Sequence, residues 1–244
     1  MKYNKIVSGT FLSRPNRFIA HVNIQGHDEV VHVKNTGRCR ELLQPGARVY
    51  LEDYQENLRK RKTRYSLVAV EKILNNGKTL LVNMDSQAPN KVVSEGLSSG
   101  VIKLPGFEGK PTYIKHEKIF GDSRFDFYLE GLQEKSRQEC KAFIEVKGVT
   151  LEEKGVVKFP DAPTLRGVKH LEELRKAVNQ GYMAYVIFVI QMKGVFYFSP
   201  NDEMHPQFGQ ALREAAASGV HILAYDCQVT KDEMKVADPV EVKL

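Results

Sequence analysis

The chain of 244 residues is 42% hydrophobic and 27% charged, which is the composition of a soluble globular protein with room for two domains. Its net charge of +6 is unevenly distributed, since residues 1–83 carry +8 and residues 84–244 carry −2. The basic first third indicates either a polyanion-binding domain joined to a near-neutral one or a basic, solvated surface. The longest apolar run covers only residues 183–190, so no membrane span is expected.

The first third has the pattern of a small β domain. Strands are predicted at 5–12, 17–24, 29–34, 48–53, 65–73 and 79–84. Turn residues at 25–28 make the second and third of these a hairpin, and one short helical turn is predicted at 38–43. So many short strands in under ninety residues favour an OB-like β-barrel over residues 1–83.

After residue 83 the pattern changes to a mixture of helices and strands. Helices are predicted at 91–97, 167–180 and 205–218, and strands at 113–120, 124–129, 142–149, 182–190, 195–198 and 220–225. The strand at 182–190 is apolar throughout and is therefore expected at the centre of a sheet. This order predicts a mixed sheet flanked by helices over residues 84–244, of α+β or α/β class, and not a doubly wound sheet.

The cysteines and the first residues indicate a compartment. Cys39, Cys140 and Cys227 are odd in number and far apart, which argues against a disulfide framework and against a cysteine-based zinc site. Residues 1–5 lead into an alternating segment and not into an apolar region, so no signal peptide is expected. Free thiols in a reducing, cytoplasmic location are predicted.

Two carboxylates and one ammonium group lie on two successive predicted strands. Asp126 lies on the first of them, and Glu145 and Lys147 lie on the second. Because side chains alternate between the faces of a strand, Glu145 and Lys147 point to the same side. Asp126 reaches the same end of the sheet if the two strands form a hairpin, so the three groups are predicted to meet.

Such a meeting point suits metal-dependent hydrolysis of a phosphodiester. Asp126, Glu145 and the backbone carbonyl of Val146 would supply oxygen ligands to Mg²⁺ or Mn²⁺, which polarises phosphate and activates water. Lys147 would orient the water, stabilise the transition state or act as a general base. For an isolated Glu-x-Lys triplet, a surface ion pair beside a structural Asp is the commoner explanation.

Two further polar residues favour a metal site over a surface ion pair. Glu95 lies on the predicted helix before both strands, and Gln191 ends the buried strand, where a polar side chain needs a partner and often lines a site. The order Glu95, Asp126, Glu145, Lys147, Gln191 resembles that of the PD-(D/E)XK nuclease superfamily. This resemblance implies an α-β-β-β-α-β core in the second domain.

A closer resemblance, to the sugar fermentation stimulation protein A (SfsA) family, covers nearly the whole chain. The segments that carry it are Arg17-Phe18-x-Ala20, Asn35-Thr36-Gly37, Pro45-Gly46, Pro89-Asn90 with Glu95, Ser123-Arg124-x-Asp126, Glu145-Val146-Lys147, Val149-Thr150-Leu151, Phe159-Pro160-Asp161-Ala162, Arg166-Gly167-x-Lys169-His170-Leu171 and Val189-x-Gln191. The resemblance implies an N-terminal OB-like domain, a C-terminal nuclease-like domain, DNA binding and nuclease activity. Members commonly have Asn where this chain has Gly148, and often an acidic residue where it has Leu165.

Basic residues are candidates for contact with nucleic acid. Five of the six residues 59–64 are cationic and lie in a predicted barrel loop, where they would bind a phosphate backbone without sequence preference. Arg40 could extend this track, and Phe18 or Tyr65 could stack on bases, although core packing is the commoner role of an aromatic residue. The predicted nucleic-acid-binding residues are Arg17, Arg38, Arg59, Lys60, Arg61, Lys62, Arg64, Arg124, Arg166, Lys169 and His170.

Four of these residues, in the second domain, have structural alternatives. Arg166, Lys169 and His170 lie at or near the start of the predicted helix 167–180, which suits a phosphate, but structural hydrogen bonds would explain them equally well. Arg124 could equally be an ion-pair partner of Asp126.

The sequence thus predicts a two-domain DNA-binding protein with metal-dependent nuclease activity on DNA or RNA. The predicted catalytic residues are Asp126, Glu145, Lys147 and Gln191, and the predicted ligands of Mg²⁺ or Mn²⁺ are Glu95, Asp126, Glu145 and Val146. The alternative is a non-catalytic DNA-binding regulator of sugar (maltose) metabolism genes that retains the nuclease fold. No membrane partner is expected, and a homodimer is compatible with a nuclease fold that cuts duplexes.

Overall fold

Two structural units follow each other in the computed structural model, which describes residues 1–35, 37–55 and 61–244. The first unit contains β1 (Ile6–Asn16), β2 (Ile19–Ile24), β3 (His27–Val33), β4 (Arg48–Asp53), β5 (Tyr65–Ile73) and β6 (Thr79–Asn83). The second contains α1 (Ala88–Ser99), β7 (Tyr113–Phe120), β8 (Ser123–Leu132), β9 (Glu139–Val149), β10 (Leu151–Glu153), β11 (Val156–Phe159), α2 (Leu165–Asn179), β12 (Met183–Ile190), β13 (Tyr197–Pro200), α3 (Pro206–Ala217), β14 (His221–Val229), β15 (Met234–Pro239) and β16 (Glu241–Val242).

The first unit is a closed barrel. Its strands follow the order β3-β2-β1-β4-β5-β6, and a parallel pairing of β3 with β5, from Val31↔Tyr65 to Val33↔Leu67, closes the ring formed by β1 to β5. Closure leaves these strands without a free edge. Alternate residues of β2 are buried inside, as the sequence pattern requires. The predicted OB-like barrel is confirmed. The short helical turn expected at 38–43 is present as a single turn, in which the amide of Leu43 bonds to the carbonyl of Cys39, four residues earlier, at 3.0 Å.

The second unit is built on a mixed sheet of order β15-β14-β12-β9-β8-β7. The middle strands β9, β12 and β14 run parallel, and the outer pairs are antiparallel. β12 is buried from Ala184 to Ile190, as predicted for a central strand. Helix α1 packs on one face of the sheet, and α2 and α3 pack on the other. The predicted mixed sheet flanked by helices is confirmed.

Of the short strands near the domain junction, only β13 was predicted from the sequence, as a strand at 195–198. β10, β11, β13 and β16 form a small second sheet, and β15 adds an edge to the main one. A strand of two to four residues is too short to show a periodic pattern in the sequence. Most of these strands can be recognised only from the strands they pair with in the structure. The small sheet touches the barrel, since Lys72 on β5 bonds to the Glu152 carboxylate on β10 at 2.6 Å.

The two units share one hydrophobic core, which runs from barrel residues such as Phe11 and Val49 to sheet residues such as Phe143 and Phe188. The backbone amide of Asn83 also donates to the carbonyl of Gln191 at 2.9 Å. The barrel and the mixed sheet are therefore packed against each other. None of the described helices is long and apolar enough to cross a bilayer.

Candidate functional site

The strands β8 and β9 separate at the residues singled out in the sequence. Their antiparallel register runs up to Phe127↔Ile144 and stops there. One step further, the Oδ2 atom of Asp126 accepts a hydrogen bond from the backbone N–H of Val146 at 2.8 Å. A side-chain carboxylate thus replaces a ladder bond, and this places Asp126 beside Glu145.

Glu145 is the buried carboxylate of this site, with 4% of its surface exposed. Its Oε1 atom accepts a bond from Lys147 Nζ at 2.6 Å and is also bonded to the His170 ring. Its Oε2 atom is buried and has no hydrogen-bond partner among the described residues. Because an unsatisfied buried carboxylate oxygen is costly, this atom is a strong candidate to bind a cation.

The two carboxylates differ in their protonation equilibria. Burial and the negative charge of Glu145 raise the pKa of Asp126 above its ordinary value, against the hydrogen bonds from Val146 and Asn90. Burial alone would raise the pKa of Glu145 too. The hydrogen bond from His170 and the positive charge of Lys147 outweigh burial and lower the pKa of Glu145. A cation placed between the two groups would favour the charged form of both.

Helix α1 contributes Asn90 to the site. Asn90 Nδ2 donates to Asp126 Oδ1 at 2.7 Å, so both oxygens of that carboxylate are fixed. Asn90 belongs to one of the segments that carry the family resemblance but was not among the predicted site residues. Its position after Pro89 in the first turn of the helix was the only available signal.

Glu95, the predicted third carboxylate ligand, is not brought to this centre. It lies five residues after Asn90, which turns it about 140° around the helix axis. Its exposed carboxylate bonds to the amino group of Met1 at 2.6 Å. Within the described ranges, no group of three or more His, Cys, Asp or Glu side chains is arranged to hold a metal ion. Protein ligation would therefore come from two carboxylates and backbone.

His170 is a partner of Glu145 and not a surface contact for nucleic acid, which corrects the sequence-based assignment. It is buried on α2, whose first turn is capped by Thr164 Oγ1 accepting the N–H of Gly167. Arg166 Nε donates to His170 Nε2 at 3.3 Å. Because arginine only donates, Nε2 is the acceptor, and Nδ1 carries the proton that is donated to Glu145.

Gln191 finds its partners in the segment that joins the two domains. Its Nε2 donates to the carbonyl of Asn83 at 3.1 Å and to the carbonyl of Asp85 at 3.2 Å. The buried polar end of β12 is therefore satisfied by the domain junction. A catalytic role for Gln191 stays a prediction.

The Val146 carbonyl also stays a predicted ligand. It lies beyond the last β8–β9 pair, on the strand edge that faces Asp126.

At Gly148, strand β9 lies close to the Gln191 side chain and to Pro89 of α1. A Cβ atom at this position would lie 2.6 Å from Gln191 Oε1 and 2.8 Å from Pro89 Cγ. The Gln191 side chain is held by its own bonds and the proline ring is rigid, so neither can move away easily. This packing explains why a glycine fits here.

Gly148→Ala is therefore expected to lower the free energy of unfolding by about 1–3 kcal/mol, the usual cost of overpacking. Urea unfolding would measure it, with Lys141→Ala, an exposed change on the same strand, as the matched control. A Gly148→Ala protein as stable as the control would show that Pro89 and Gln191 yield without cost.

Several of the arginines predicted to contact nucleic acid are bonded to other side chains of the protein. Arg64 forms a two-point pair with Asp53, at 2.8 and 2.9 Å, which lowers the pKa of Asp53 to about 2. Arg61 bonds to Ser66 and lies over the Tyr54 ring. Exposed Arg124 lies 3.4 Å from Glu117 and so pairs with a surface carboxylate.

The remaining predicted contacts fall into two groups. Arg17, Arg38, Lys62, Arg166 and Lys169 have exposed side chains. Residues 59 and 60 of the basic cluster, Arg59 and Lys60, lie outside the described residues, as does Thr36 of the matched loop segment.

Comparisons with known proteins match the whole of this architecture. A family model described as the SfsA N-terminal OB domain matches residues 12–82, and one described as the sugar fermentation stimulation protein RE domain matches residues 87–233. A sugar fermentation stimulation protein homolog from Desulfitobacterium hafniense (strain Y51) is 54% identical, over 100% of this chain and 99% of its own. The homolog from Clostridium beijerinckii is 51% identical over 100% of both chains.

A solved structure agrees with the fold. The structure of Pyrococcus furiosus SfsA in complex with Ca²⁺ superposes with a TM-score of 0.82 at 28% sequence identity. The alignment covers 100% of this chain and 98% of that one. Both domains and their arrangement are therefore shared with that protein.

Proposed function

The chain belongs to the sugar fermentation stimulation protein (SfsA) family, and we propose that it is a metal-dependent nuclease whose substrate is DNA. Asp126, Glu145 and Lys147 form the proposed centre, on the separated ends of β8 and β9. The free thiols of the chain, all buried, fit a reducing cytoplasm as its location.

The observation that carries this proposal is the buried Oε2 atom of Glu145, which lacks a hydrogen-bond partner in the described part of the chain. Asp126, Glu145 and the Val146 carbonyl would offer hard oxygen ligands to Mg²⁺ or Mn²⁺. When bound, such an ion supplies polarisation of the phosphodiester and a water of lowered pKa. A Ca²⁺ complex of the Pyrococcus furiosus relative supports the capacity of this fold to hold a hard cation.

Other residues of the site would hold the two carboxylates in place and stabilise the transition state. Asn90 and the Val146 amide hold the Asp126 carboxylate in place, and His170 holds Glu145 from the other side. The Lys147 ammonium, kept beside Glu145, would stabilise the negative charge that develops on the phosphate in the transition state.

Exposed cations near the start of α2 would receive the substrate. Arg166 and Lys169 lie in the first turns of α2, the helix that carries His170 to Glu145. A helix N-terminus with added cations suits the phosphates that flank the cleaved bond.

A cleavage assay tests the proposal. Protein purified free of contaminating nucleases is incubated with single-stranded and duplex DNA and with RNA, in Mg²⁺, in Mn²⁺ or in a chelator. Cleavage that requires the metal is expected. If every substrate stays intact under every condition while the protein still binds DNA, the result would instead support a non-catalytic DNA-binding regulator.

His170→Ala is expected to weaken Mn²⁺ binding by about 10–100-fold, as is usual when a partner that orients a metal ligand is removed. His170→Asn, which keeps an N–H donor, should recover part of this loss. Isothermal titration with Mn²⁺ measures both, and His27→Ala, an exposed change on the barrel, serves as the control. Equal affinity in His170→Ala and wild type would remove His170 from the site.

A further inference from the structure

A cleft of about 650 Å³ lies between the barrel and the loop that joins β11 to α2. Four arginines of the barrel, Arg14, Arg17, Arg38 and Arg40, line it together with Ala162 of that loop. Its volume lies in the range of sites that hold small ligands or parts of larger ones. We call it the arginine cleft.

The arginine cleft carries an excess of positive charge, with the carboxylate of Asp161 at its border, against the lining residue Gly37. None of the described residues that line it is acidic. Arg14 donates to the backbone carbonyls of Arg17, Asn35, Gly37 and Arg38 and to no carboxylate, so its charge is held in place but not neutralised. Such an arrangement attracts anions.

Two of the four arginines, Arg38 and Arg40, are shared with a second cavity. Arg38 and Arg40 border a neighbouring cavity of about 300 Å³ whose lining includes four acidic residues, Glu41, Glu153, Asp161 and Glu203. Neither arginine lies within salt-bridge distance of an acidic side chain in the described ranges, and both are exposed. Their guanidinium groups therefore remain available to a ligand in the arginine cleft.

The rest of the lining is mostly apolar, with Ser13 and Asn16 as its other polar residues. Phe11, Leu43 and Pro45 of the barrel and Ala162 of the loop lie among the arginines. Cations beside an apolar surface suit a nucleotide, because the phosphate binds guanidinium groups and the base needs an apolar face. In a duplex the bases are paired and stacked inside the helix, so only an unpaired base can enter a cleft of this size.

The cleft is connected to the metal centre by a short piece of chain. From Ala162 the loop leads directly into α2, whose first turns expose Leu165, Arg166 and Lys169 to solvent. The barrel loop and the β11–α2 loop approach closely, since a Cβ atom on Gly37 would collide with the Asp161 carboxylate. A strand held in the cleft could therefore continue along α2 towards Glu145.

We propose that the arginine cleft binds an unpaired segment of single-stranded nucleic acid and directs that strand to the centre at Asp126 and Glu145. This inference rests on the proposed nuclease function and names the form of its substrate. The barrel and the β11–α2 loop together form the binding surface, so neither domain alone completes it.

The test measures binding without cleavage. Fluorescence anisotropy with a labelled single strand of about 16 nucleotides, and with a duplex of the same length, is recorded in a chelator. Arg38→Ala/Arg40→Ala is expected to weaken single-strand binding at least about tenfold and to affect the duplex no more than the control does. The control, Arg48→Ala/Lys78→Ala, removes two exposed cations of the barrel that do not line the cleft.

A second pair of variants tests the contribution of the loop. Ala162→Glu places a negative charge at the cleft from the other domain and should weaken single-strand binding, whereas Ala216→Glu on α3 should not. Equal losses on single strand and duplex, or equal effects of cleft and control variants, would overturn the proposal. The assay contains a chelator and therefore measures binding without cleavage. A protein without nuclease activity can still show the expected loss of single-strand binding, and an active nuclease can still lack it, so the two proposals are tested separately.

Discussion

Glu145→Gln and Asp126→Asn are each expected to reduce the rate of nucleic-acid cleavage at least about 100-fold while leaving nucleic-acid binding nearly unchanged. Each change replaces one charged oxygen by an amide nitrogen of similar size, so packing is retained. At Glu145 it disturbs a carboxylate that already binds Lys147 and His170 through Oε1 and offers only Oε2 to a cation. The lower cleavage rate should therefore result from weaker metal binding and not from a disturbed fold.

Two measurements separate these effects. Single-turnover cleavage in Mn²⁺ gives the rate, and the rise in melting temperature on addition of Mn²⁺ reports metal binding independently of turnover. Glu139→Gln, an exposed change at the opposite end of β9, is the matched control and should behave as wild type in both. Cleavage at the wild-type rate by Asp126→Asn would place the active centre elsewhere on the protein.

Lys34→Met is expected to lower the free energy of unfolding by about 3–5 kcal/mol, because it leaves a buried carboxylate without its partner. Lys34 Nζ lies 2.8 Å from Asp85 Oδ2, and Asp85 is fully buried. Burial alone would lower the pKa of Lys34, but the charge of Asp85 outweighs it and raises that pKa. The contribution of the pair is thus present at neutral pH and is lost only as the pH rises through the raised pKa of Lys34.

A double-mutant cycle identifies the cause of the loss. Lys34→Met/Asp85→Asn removes the stranded charge as well and should recover part of the stability in urea unfolding. Lys5→Met, which removes an exposed lysine 3.4 Å from Asp53, should cost less than about 1 kcal/mol. A loss in Lys34→Met no larger than that of Lys5→Met would mean that Asp85 is satisfied without Lys34.

This pair matters for the candidate site because Asp85 lies at the start of α1. Its carboxylate accepts the N–H of Gln87, and its backbone carbonyl accepts bonds from the amide of Ala88 and from the side chain of Gln191. The helix that begins there carries Asn90 to Asp126. A barrel residue, Lys34, therefore helps to set the position of the metal centre in the other domain.

Local periodicity was enough to predict the frame of the site. The alternation in β9 places Glu145 and Lys147 on one face, and the two side chains are indeed bonded to each other. The apolar stretch of β12 predicted a central strand, which is where the structure has it. These features depend on neighbours along the chain, whose geometry is fixed by the strand itself.

The sequence by itself thus determined the two kinds of domain, the strands that carry Asp126, Glu145 and Lys147, and the chemistry of those groups. Only the tertiary structure decided which face of α1 meets the sheet, and with it that Asn90 and not Glu95 reaches Asp126. It also decided that His170 holds Glu145. The physical reason is that periodicity fixes the direction of a side chain within its own element, while the rotation and placement of one element against another depend on packing between residues far apart in the chain.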